Sequence, residues 1–140
     1  AYEYVDYGAA HRSHVGSEAR FAFRTPALHN VEHTGPWMHN GCYMDLESVI
    51  RHHVDPIASL ASFDPTKLAS EFQNQVHSNP DVLAEVERYL SEEILGIPTL
   101  DDEEIAALLA FLSALSSPDV GTLAEAIPDE VPSGLPLVLP

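Results

Sequence analysis

Apolar residues recur at helical spacing from Leu46 onward, whereas residues 1–44 show neither a sustained helical period nor strand alternation. That first third is rich in Gly, His, Pro and aromatic residues, which predicts loop. Leu46, Val49, Ile50 and His53 then share one face of a helix that Asp55-Pro56 ends, because the residue before a proline is pushed out of the helical region. His53 is thereby grouped with the aliphatic residues. His52, about 100° further round, falls with Asp45 and Ser48 and is expected to face solvent.

Asp64-Pro65 predicts a second helix through Leu68, Phe72 and Val76, with the aspartate as cap and the proline in the first turn. Asn79-Pro80 restarts it, and Val82, Leu83, Val86, Leu90 and Ile94 carry an apolar stripe to Gly96. The clearest helix has Asp101 as its cap and Glu104 three residues on, then Ile105, Leu108, Leu109, Leu112 and Leu115 in register before Ser117-Pro118 stops it. The acidic run from Asp101 to Glu104 reads as favourable charge at a helix N-terminus. The expectation is an all-α domain over residues 1–140: a loop-rich segment 1–44, helices over 45–116 and a Pro-rich tail over 117–140. Ordered loops this long usually serve a function or hold a cofactor.

Five of the eight histidines and both methionines lie between residues 23 and 53. Imidazole is the commonest metal ligand and a thioether suits haem iron or copper, so Met38, His39, Met44, His52 and His53 are candidate ligands. His53 is either a hydrogen-bonded core histidine or an axial ligand facing a pocket roofed by the Trp37 loop. His39 is either bonded to backbone or part of a redox-site lining. Trp37 is read first as a packing residue, and Cys42 as a small packed residue with no base arranged to activate it.

With one cysteine the chain holds neither an internal disulfide nor a Cys-x-x-Cys-His haem attachment motif. Six Lys+Arg against 22 Asp+Glu give a net charge of −16, which opposes nucleic acid and anionic membranes and favours a cationic partner. No apolar run reaches the roughly 20 residues that span a bilayer. At 45% hydrophobic residues, a chain of this size is expected to bury a substantial core. Ala1-Tyr2-Glu3-Tyr4 has no initiator Met and no secretory pattern, so the N-terminus reads as a processing boundary.

The run Phe23-Arg24-Thr25-Pro26-Ala27-Leu28-His29-Asn30-Val31-Glu32-His33-Thr34-Gly35-Pro36-Trp37-Met38-His39-Asn40-Gly41, with Leu46-Glu47 after it, resembles the bacterial di-haem cytochrome c peroxidase and MauG family. The helix from Leu100 to Leu115 and the Val131 to Pro136 ending resemble the family's closing elements, so the likeness spans about residues 6 to 137. It implies the C-terminal portion of a cytochrome c-like haem domain. Position by position, it places the axial ligand of the second haem, Met in the peroxidases and Tyr in MauG, at His53. It sets His39, with Met38 and Trp37, beside the haem and the path between domains, and gives the carbonyls of Thr34 and Pro36 to a calcium ion. His29 stands where the family has Arg, and Asn40 where it has Asp.

Two functions follow as expectations. In the first, the chain is part of a periplasmic di-haem peroxidase-like oxidoreductase and completes the pocket of its electron-transferring haem. The haem c would be attached covalently to a polypeptide carrying Cys-x-x-Cys-His, and a small cytochrome or cupredoxin would donate electrons. In the second, it is a non-catalytic acidic helical module that uses its scaffold for a metal ion or a protein interface.

Overall fold

Side-chain caps decide where each helix begins. The computed structural model describes residues 5–12, 14, 16–76 and 79–122. Among them α1 is Leu46–Val54, α2 Pro56–Ala61, α3 Pro80–Arg88, α4 Glu92–Leu95 and α5 Asp102–Ser113. The Ser48 amide donates to Asp45 at 2.7 Å, that of Ala58 to Asp55 at 2.9 Å and that of Asp81 to Asn79 at 3.0 Å. The Ile94 amide donates to Ser91 at 3.3 Å and that of Glu104 to Asp101 at 2.9 Å. At α5 the Asp101 amide also donates to Glu104 at 3.0 Å, completing the expected capping box. Each cap satisfies an amide that the helix leaves without a partner.

The fold is all-α. Among the described residues there is no strand, only single bridges between Gly8 and Ala22 and between Trp37 and Tyr43. Short 3-10 turns at Ala9–His11, Ser17–Ala19 and Val31–His33 punctuate the first third, as its lack of period predicts.

Two helical predictions need correction. Asp64-Pro65 opens only a 3-10 turn, Pro65–Lys67, and a second such turn follows at Gln73–Gln75. The Asp64 carboxylate takes both the Thr66 amide at 3.0 Å and the Thr66 hydroxyl at 2.7 Å, a local turn that competes with helix propagation. Gln73 then donates to the Leu68 carbonyl at 2.9 Å and folds the segment back on itself. The stripe from Val82 to Ile94 is likewise divided: α3 ends at Arg88, and Ser91 caps α4 as a separate turn. Residues 123–140, most of the Pro-rich tail and its Val131 to Pro136 ending, lie outside the described residues.

Helix α1 packs against α2, α4 and α5, and the Val31–His33 turn lies on α5. The N-terminal loop reaches α3 through Arg20, which pairs with Glu85 and lies 4.4 Å over the Tyr7 ring. Phe21 bridges Tyr7 and Tyr89 at centroid distances of 5.5 and 5.7 Å.

The expected core is much smaller than the composition implies. Among the described residues the buried hydrophobic side chains are Ile50, 9% exposed, and Ile105, 3% exposed. Leu108 and Phe111 remain 38% and 57% exposed, so the apolar stripe of α5 is wider than the face it buries. Proline and cap residues cut the chain into short helices, each covering little of its neighbours.

Ile105→Ala should therefore lower stability by about 2–5 kcal/mol in a urea titration, the range for truncating a buried aliphatic. Arg51→Ala removes exposed ion pairs to Glu47 and Asp102, both at 2.8 Å, and should cost less than about 1 kcal/mol.

Candidate functional site

The loop after Phe23 is held by polar contacts to the end of α5. Asn30 adopts the left-handed region at φ 59, which a short polar side chain tolerates. Its amide donates to the Leu115 carbonyl at 3.3 Å, and its side-chain oxygen accepts from the Ser117 amide at 2.7 Å. One residue on, the Val31 carbonyl accepts the Trp37 indole N–H at 2.8 Å, the Thr34 hydroxyl at 3.1 Å and the Thr34 amide at 3.3 Å. Trp37 is fixed and half-buried by this bond, a packing role with its ring beside Gly35.

Trp37 and Tyr43 exchange backbone hydrogen bonds at 2.9 and 3.5 Å, closing the loop 38–42. The reversal places Met38 at φ 70 and Gly41 at φ 68. For Met38 this is a strained conformation of the kind concentrated at functional sites. His39, at the loop tip, stacks on Phe23 with centroids 3.7 Å apart and planes within 14°. Its Nε2 lies 4.0 Å from the Asp6 carboxylate. Burial lowers the His39 pKa, and Asp6 only partly opposes that. Cys42 donates its amide to Asn40 at 3.3 Å, and burial raises its thiol pKa, in keeping with a packed and unreactive cysteine.

The histidines of α1 exchange the places expected of them. His52 is half-buried: its Nδ1 lies 3.1 Å from the Tyr43 hydroxyl and 3.1 Å from the Ser59 hydroxyl, which are 2.7 Å from each other. Burial lowers its pKa, with the neighbouring His53 adding to the shift. The correction arises because Tyr43 and α2 cover the side of α1 that the sequence assigned to solvent.

His53 is exposed, and its Nδ1 lies 2.8 Å from the Val49 carbonyl one turn back. A carbonyl only accepts, so Nδ1 carries the proton and the Nε2 lone pair is left for another partner. Metal-binding histidines commonly use this arrangement, the second ring nitrogen donating to a backbone carbonyl. The two rings meet edge to face at 5.8 Å.

The candidates thus form two groups. Trp37 is joined through Tyr43 to the last turn of α1, while His39 turns toward Phe23 and Asp6. Thr34 and Pro36 flank Gly35 at the exposed rim. Among the described residues, no three His, Cys, Asp or Glu side chains converge to hold a metal ion. No helix there is long and apolar enough to cross a membrane. Tyr43 and Ser59 escaped sequence reasoning, and Phe23 was read only within the family motif, because their roles depend on contacts across the chain. Only Asn30 carried a signal, as a residue type that enters left-handed turns.

His39 and His52 have lowered pKa values, so each binds its proton more readily in the unfolded chain. Their contribution to stability is present above the unfolded value of about 6.5 and is lost as pH falls through the folded values. The melting temperature should accordingly fall on acidification below about pH 6.5. His52→Asn, which keeps a neutral acceptor near the Nδ1 position, should flatten that dependence. Cys42 should alkylate more slowly at neutral pH than the same thiol in unfolded protein, read by mass spectrometry.

No family model matches the chain, and no solved structure matches it. It is similar to the methylamine utilization protein MauG of Paracoccus denitrificans (strain Pd 1222), 33% identical over 121 residues. That likeness covers 81% of this chain and 28% of the relative, so the chain spans less than a third of the length of the protein it matches. Over this stretch the chain is a C-terminal MauG-like region, similar to the di-haem cytochrome c peroxidase family.

Proposed function

We propose that this chain supplies the axial-ligand face of the electron-transferring haem in a periplasmic di-haem peroxidase-like oxidoreductase, with His53 as the ligand. The observation that carries the reading is the 2.8 Å contact between His53 Nδ1 and the Val49 carbonyl, which fixes the ring and leaves Nε2 open on an exposed turn. The donor chemistry fits, because neutral imidazole is a normal axial ligand of haem iron. The haem c, attached through a Cys-x-x-Cys-His segment outside these residues, supplies one-electron redox chemistry when bound.

Within this reading Trp37, Met38 and His39 are the loop residues that would border the haem. A net charge of −16 suits a small donor, cytochrome or cupredoxin, with a basic face. The carbonyls of Thr34 and Pro36, exposed on either side of Gly35, are of the oxygen type calcium takes.

In the holo-protein, His53→Gly should convert a six-coordinate low-spin haem into a five-coordinate high-spin one, read by visible and electron paramagnetic resonance spectra. His53→Met should restore six-coordination and raise the reduction potential, because a thioether favours ferrous iron. An unchanged spectrum in His53→Gly would remove the ligand role and favour the acidic binding module instead. Calcium at a hundred times its Kd should stabilise the protein by about 2.7 kcal/mol. A melt insensitive to calcium and chelator would remove that ion from the proposal.

A further inference from the structure

The turn of α1 that presents His53 lacks a backbone restraint, and a side-chain cluster stands beside it. In a continuing helix the amide of residue 56 would donate to the carbonyl of His52, but Pro56 has no N–H. The last backbone bond of α1 is the Asp55 amide to Arg51 at 3.0 Å. Left to itself this terminal turn would fray, as helix ends do.

What holds it is the cluster on its inner side. The Tyr43 hydroxyl meets His52 Nδ1 at 3.1 Å and Ser59 Oγ at 2.7 Å, and Ser59 Oγ meets the same Nδ1 at 3.1 Å. Tyr43 is itself fixed through its backbone to Trp37 and through its ring edge to Phe63, at 5.9 Å and 84°. The cluster therefore joins the Trp37 loop, α1 and α2 at one imidazole. His52 and His53 are successive residues about 100° apart on the helix, so fixing the first inward fixes the direction in which the second faces out.

We infer that Tyr43 and Ser59 are positioning residues for His53: by binding His52 they set the rotation of the last turn of α1 and aim the His53 Nε2 at the iron. The inference rests on the axial-ligand reading of His53. Both hydroxyls act through His52.

The test uses the holo-protein with the low-spin to high-spin ratio and the reduction potential as readouts, neither of which a purely structural residue would move. Tyr43→Phe keeps the ring and its packing on Phe63 while removing the hydroxyl. It should lower the low-spin to high-spin ratio roughly five-fold, the effect of one net hydrogen bond, and shift the potential. Ser59→Ala should act in the same direction, whereas Ser59→Thr, which keeps a hydroxyl, should restore the parent ratio.

His53→Gly separates the two ways of failing. If His53→Gly alters the spectrum while Tyr43→Phe and Ser59→Ala leave ratio and potential unchanged, the positioning role is overturned and the ligand stands. If His53→Gly changes nothing, the ligand reading falls and the positioning role falls with it.

Discussion

The packing of α1 against α5 carries the arrangement of the site. Each helix contributes one buried isoleucine, Ile50 and Ile105, and the described residues bury no other large aliphatic side chain. The loop bearing Trp37 and His39 has no apolar anchor of comparable depth. It is attached instead through Asn30 to the end of α5 and through Tyr43 to α1, so its position is inherited from the two helices. Dispersion sets the frame, and directional hydrogen bonds set the loop within it.

The consequence is a surface with an unusual balance for a chain so acidic. Phe23, Leu28, Met44, Leu95 and Phe111 are exposed apolar side chains on a molecule of net charge −16. Small isolated apolar groups are ordinary on a protein surface.

What could be read from the sequence follows the range of the interaction concerned. Local rules sufficed for the capping box at Asp101, for the break at Asp55-Pro56 and for the lack of regular structure before Leu46. They failed where two local preferences competed, as at Asp64, whose carboxylate closes a turn on Thr66 in place of leading a helix. They also failed for His52. Helical periodicity assigned it to the polar side, but whether a side is polar depends on what lies over it, and Tyr43 and Ser59 arrive from other elements. The family likeness named the motif around His39 without revealing that its ring stacks on Phe23.

Asp55 closes α1 and caps α2, its amide returning to Arg51 and its carboxylate taking the Ala58 amide, so no linker separates the two helices. An inserted or deleted residue within α1 would have no slack segment to absorb it and would swing His53 about 100° around the axis. On the axial-ligand reading, the donor group at position 53 is chemically open to exchange among histidine, methionine and tyrosine. The number of residues between that position and the Asp55 junction is not, and homologous chains should vary in the first while keeping the second.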